Sequence, residues 1–219
     1  MVSTRRAAAE RARATALAFS KLSGDEQGII LGQLRNTLEP RLAMYFSSAS
    51  KELRALLPAA ARQRLRTDYE EATALCLKVG MRDCKELREA TEVLWEHKGL
   101  SEADLATLAK LGSVLPALEE LTITQDCLLQ DSAGPDGFQW LAEGLVAGAL
   151  PALTNLGLEG MDAGAAGASA LAAALGRGAL PRLEYPDLWN AEIGDTALAA
   201  LTPALRRRPA LDCLKLPCN

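Results

Sequence analysis

Residues 150–179 read LPALTNLGLEGMDAGAAGASALAAALGRGA, and residues 180–210 read LPRLEYPDLWNAEIGDTALAALTPALRRRPA. Each stretch opens on Leu-Pro, passes through a short run with leucine at alternate positions, and closes on a longer Leu/Ala run. Residues 115–149 begin the same way, with LPALEELTIT, and residues 211–219 form a partial copy, LDCLKLPCN. The shared frame is L-x-x-L-x-L. It is filled by Leu118/Leu121/Ile123, Leu153/Leu156/Leu158, Leu183/Pro186/Leu188 and Leu211/Leu214/Leu216, whose first positions lie 35, 30 and 28 residues apart. A weaker filling, Ala90/Val93/Trp95, stands 28 residues before Leu118. Residues 99–118 parallel residues 192–211, which extends the pattern upstream. A recurrence at this period is the mark of stacked strand–helix units.

The alternation in each frame predicts a short strand with two side chains turned inward. Leu105/Leu108, Leu171/Leu175 and Leu198/Leu201/Leu205 then follow at helical spacing. A single unit cannot cover both of its faces, so neighbours have to stack. The run Ala163–Ala174 is almost entirely Ala, Gly and Ser, which suits a helix lying close to the sheet. Pro186 occupies an inward strand position, where it lacks a ladder donor and is expected to fray its strand. An insertion around LLQDSAGPDGFQW reads as a loop anchored by Phe138 and Trp140.

These units resemble the ribonuclease-inhibitor class of leucine-rich repeat, most clearly at Ile193, Gly194, Asp195, Ala197 and Leu201, and at Gly164, Gly167 and Leu171. The resemblance covers residues 90–219. It implies an α/β solenoid of about five strands, with a parallel sheet and outer helices. The asparagine that the family places after each strand falls here on Lys98, Asp126, Met161, Ala191 and Asn219. Only the last matches, so irregular turns are expected.

The chain has 219 residues, 49% hydrophobic but only 4% aromatic, so its core is built from Leu and Ala. The net charge of -4 argues against a dedicated nucleic-acid binder. Residues 1–110 hold 18 Lys/Arg and 15 Asp/Glu, whereas residues 111–219 hold 6 and 13. The five cysteines, Cys76, Cys84, Cys127, Cys213 and Cys218, show no metal spacing and read as reduced thiols of an intracellular protein of cytoplasm or nucleus. No apolar run is long enough to span a membrane. Residues 1–20 are Arg- and Ala-rich with Glu10 as their one acid, a composition of either a solvated basic tail or an organelle-import segment.

Residues 21–89 read as helical. Ser23 with Glu26 forms a capping box, Pro40 and Pro58 punctuate, and three helices are expected across residues 24–56 with another over 59–75. The segment FSKLSGDEQGIILGQLRNTLEPRLAMYFSSASKELRALL, within residues 19–57, resembles an F-box. On that resemblance Leu22, Ile30, Leu34, Pro40 and Leu42 would meet a ubiquitin-ligase adaptor. A plain helical cap for the units that follow accounts for the same pattern.

The outward strand positions carry the functional expectation. They are Glu92, Leu94 and Glu96; Glu120, Thr122 and Thr124; Asn155, Gly157 and Glu159; Tyr185, Asp187 and Trp189; and Cys213, Lys215 and Pro217. Carboxylates flanked by Tyr185 and Trp189 suit a protein partner with a basic surface. His97, the one histidine, stands alone in a turn, and no nucleophile–base pair, metal cluster or phosphate loop is present, so no cofactor and no catalysis is expected. Arg206, Arg207 and Arg208 read as a solvated helix end. The expected function is a non-catalytic protein–protein interaction module within a larger assembly, a partner covering its C-terminal edge. The alternatives are an F-box-type adaptor and a regulator or inhibitor of another protein.

Overall fold

The computed structural model describes residues 10, 14–15, 17–34, 36–49, 51–125, 133–145, 148–208 and 210–216. The N-terminal basic segment, Asp126, Cys127, most of the insertion, Pro217, Cys218 and Asn219 lie outside them. Two compact units are present, Met1–Glu70 and Glu71–Asn219.

The first unit is helical: α1 (Gly24–Leu34), α2 (Pro40–Ala49), α3 (Lys51–Leu56) and the start of α4 (Ala59–Val79). Ser23 opens α1 as its sequence implies. The Ser23 hydroxyl accepts from the Glu26 N–H at 3.3 Å, while the Ser23 N–H donates to the Glu26 carboxylate at 2.8 Å. Ala43, Leu57 and Leu65 form a small buried cluster with Leu34, Phe46 and Ala61 against it. Phe19 meets Phe46 edge-to-face at 5.5 Å.

The second unit continues through α5 (Cys84–Glu89), β1 (Glu92–Glu96), α6 (Glu102–Leu111), β2 (Glu120–Thr124), α7 (Pro135–Gly144), β3 (Asn155–Glu159), α8 (Gly164–Gly176), β4 (Tyr185–Asp187) and α9 (Asp195–Arg206). The four strands make one parallel sheet in the order β1-β2-β3-β4. Val93, Leu121, Leu156 and Pro186 are register partners, as are Trp95, Ile123 and Leu158. All seven side chains are buried, because the period-2 pleat turns them to one face. Behind them α6, α7, α8 and α9 contact one another in succession. Small residues permit that closeness: a Cβ on Gly144 would stand 2.3 Å from the Ala109 Cβ.

The architecture is a mixed α/β fold with one small parallel sheet and long helices. It is not the leucine-rich-repeat solenoid of about five strands that the resemblance implied, and the solenoid and repeat-array descriptions fall with it. Four described strands form, not five. Residues 211–216 contribute a single bridge, Asp187↔Lys215. The physical cause lies at Pro186. Lys215 N–H donates to the Pro186 carbonyl at 3.1 Å and Leu188 N–H to the Lys215 carbonyl at 3.0 Å, so positions 186 and 188 face this last segment. Proline brings no N–H to that edge, and the ladder stops. β4 has three residues where the other strands have five. The Ala/Leu-rich sequences of α8 and α9 favour helix, and α9 continues through Pro203. The F-box resemblance is likewise corrected: the helices at 24–56 are accounted for by local capping, Pro40 and a small apolar cluster, which are general helix-forming features.

Turns in this unit are held by tertiary bonds. Leu150 and Leu180 adopt φ of 48° and 49°, both immediately before a proline. Leu150 N–H reaches the Gly112 carbonyl at 2.9 Å and Leu180 N–H the Ala149 carbonyl at 3.3 Å, which holds both residues in a region that leucine disfavours.

Candidate functional site: the open face of the sheet

The pleat that buries one face leaves the other open. Its first row is Glu92, Glu120, Asn155 and Tyr185, its second Leu94, Thr122, Gly157 and Asp187, and its third Glu96, Thr124 and Glu159. Glu92, Glu96 and Glu120 are exposed and Glu159 is half-buried. Leu94 is 54% exposed, Tyr185 40% and Trp189 42%, large fractions for apolar bodies. Trp189 lies past the end of β4, in the turn where Asn190 has φ of 51°. The face thus brings together seven of the eight residues expected to meet a partner, Glu92, Leu94, Glu96, Glu120, Glu159, Tyr185 and Asp187, while Trp189 follows in the turn after β4.

Electrostatically the face is one-sided. Lys215 lies 3.2 Å from Asp187 and neutralises it. Among the described residues, Glu92, Glu96, Glu120 and Glu159 make no ion pair; Glu159 accepts only the Thr124 hydroxyl, at 3.3 Å. Glu92 and Glu120 are direct cross-strand partners. Like charges placed opposite each other oppose folding.

At the β3–β4 side the face dips into a hollow of about 190 Å³, bordered by Thr122, Asn155, Glu159, Tyr185, Asp187 and Lys215. Its floor is Gly157, where a Cβ would stand 3.0 Å from both Thr122 Cγ2 and Oγ1. Two walls are tied. Tyr185 donates its phenol hydrogen to Asp212 at 2.9 Å, and that bond and charge hold its pKa above the usual phenol value. Asp187 accepts from the Trp189 N–H at 3.2 Å as well as pairing with Lys215. Asp212 went unnoticed in the sequence because it holds the first x of the frame at residues 211–216, a position outside the outward row of Cys213, Lys215 and Pro217.

Other candidates are dispersed. Leu22, Ile30 and Leu34 are half-buried, Pro40 is buried and Leu42 is 47% exposed. His97 sits exposed at φ 49°, its N–H on the Thr124 carbonyl at 2.8 Å. The buried thiols Cys76 and Cys84 lie 4.0 Å apart, and burial, with Cys84 beside it, pushes the Cys76 thiol up to about 12. Among the described residues no group of acids, cysteines or histidines could hold a metal ion. Nor is any helix among them long and apolar enough to cross a membrane. Trp95 Nε1 and Gln125 Oε1 are buried without a hydrogen-bond partner.

No family model matches the chain, and no curated protein is detectably similar to it.

Proposed function

We propose that the open face of the sheet binds a protein partner through a basic surface, and that the chain acts without catalysis as a subunit of a larger assembly. The observation that carries this reading is the Glu92–Glu120 pair. Two unneutralised carboxylates in register oppose folding, and a partner's cations remove that cost on binding. Leu94, Tyr185 and Trp189 add apolar and aromatic area of the kind that anchors interfaces. The exposed Trp189, just past β4, is the residue whose truncation weakens binding most. The reduced thiols at Cys76 and Cys84 fit a reducing compartment, the cytoplasm or nucleus.

Affinity purification of the protein with its native partners, identified by mass spectrometry, tests the proposal. The variant Glu92→Arg/Glu120→Arg/Glu159→Arg should lose the partners that the unaltered chain retains. An unchanged partner set, with the variant folded by circular dichroism, sinks the reading.

A further inference from the structure

We infer that the hollow above Gly157 receives a single arginine side chain from that basic partner, an inference that rests on the sheet-face reading above. The row Leu94–Thr122–Gly157–Asp187 has a side chain at every position but one. The missing side chain makes the space, and the short approach from a Gly157 Cβ to Thr122 shows that any larger residue would take it away. The volume of about 190 Å³ admits one long side chain, not a folded loop.

The border chemistry selects the guest. Glu159 uses only one weak contact, from Thr124 at 3.3 Å, and keeps lone pairs to offer. The Asn155 amide and the Thr122 hydroxyl add acceptors beside it. Lys215 lines the hollow and already pairs with Asp187 at 3.2 Å, so Glu159 is the carboxylate left for the guest. The surplus carboxylates of Glu92, Glu96 and Glu120 on the same face repel an anionic guest. Between the two cationic side chains, arginine matches better. Its guanidinium is planar and donates along its edges, which suits several separated acceptors, and its flat face stacks on an aromatic ring. Tyr185 supplies that ring, held by Asp212. A lysine ammonium has one compact charge and cannot use the ring and the spread acceptors together. Because Tyr185 and Asp187 are already fastened, little side-chain freedom is lost when the guest enters.

The test uses the full chain and three lysine-rich nonapeptides that differ only at the central residue: arginine, lysine or citrulline. Binding is read by fluorescence anisotropy at low and moderate salt. The lysine-rich flanks engage the open face and the central residue reports on the hollow. The arginine peptide should bind roughly tenfold more tightly than the other two. Gly157→Val should abolish that preference, and Glu159→Gln, which leaves the backbone undisturbed, should reduce it severalfold. Equal binding of all three peptides overturns the arginine site while the sheet-face reading stands. So does an arginine preference that survives both substitutions. If no peptide binds the unaltered chain, both readings fall together.

Discussion

The helical unit and the α/β unit are built from similar residues and hide them to very different degrees. In the helical unit Leu17 is 59% exposed, Ile29 67%, Leu42 47% and Tyr45 71%, around a buried cluster of three small or medium side chains. In the α/β unit each strand turns its inward residues onto Leu/Ala helices, and Leu105, Leu111, Leu115, Leu118, Leu121, Ile123 and Leu158 are 1% exposed or less. The difference lies in pairing. A helix stripe needs another helix at the right angle, whereas a parallel sheet presents a continuous face that successive helices cover. Burial of apolar area is the main stabilising quantity. The α/β unit therefore holds most of the chain's stability.

Six substitutions, Ile29→Ala and Arg206→Ala serving as controls, sharpen or break that contrast. Leu158→Ala should cost about 2–5 kcal/mol in urea denaturation, while Ile29→Ala should cost less than about 0.5; a large loss at Ile29 would mean that its face is covered. Next comes Arg208→Ala. Its guanidinium donates to the carbonyls of Leu175, at 2.6 Å, and of Ala179 and Leu180, and removing it leaves those acceptors short. A loss of about 1–3 kcal/mol is expected, against under about 0.5 for the exposed Arg206→Ala.

A smaller effect belongs to Lys78 and Asp104, 2.6 Å apart. Burial pushes the Asp104 carboxyl up, but the hydrogen bond from Lys78, those from Ser101 and the Lys78 charge together hold it below the usual carboxylate range. A depressed carboxyl stabilises the fold above its unfolded pKa of about 3.9, and that contribution disappears as the pH falls through the lower folded value. Lys78→Ala should cost about 0.5–1 kcal/mol at neutral pH, less at high salt, and should flatten stability against pH below about 4. The smallest effect has the opposite sign. Glu120→Gln relieves the repulsion with Glu92 and should stabilise the chain by a few tenths of a kcal/mol while weakening partner binding. A destabilised Glu120→Gln would remove the main support for the proposed function.

The strands and their register were legible because period-2 alternation is local and the buried face enforces it. The helices were legible from Leu/Ala spacing and from the Ser23 cap, whereas the Ser101 cap of α6 was not read. What escaped is what tertiary contacts decide. Pro186 was expected to fray its strand, but its effect on the following segment depends on which edge that residue faces. Leu150 and Leu180 precede prolines, which locally favours extended backbone, yet both are held at positive φ. The two family resemblances rested on short motifs that strand–helix and helix–helix packing reproduce in unrelated chains. At the candidate site the outward positions of β1 to β4 were legible, whereas Trp189 falls in the turn after β4, Lys215 makes a single bridge and Pro217 lies outside the described residues. The hollow was not, because Gly157 becomes a floor only once Thr122, Tyr185 and Asp187 stand around it.

The run Arg206-Arg207-Arg208 shows three cations to anyone counting charge, but only the first two are exposed and the third is half-buried. The third is a staple across the C-terminal turn of α8, reaching back about 30 residues along the chain. The backbone joining the exposed Arg207 to Arg208 is accordingly a weak link of unusual leverage. A trypsin-like protease that cuts there detaches the staple from α9.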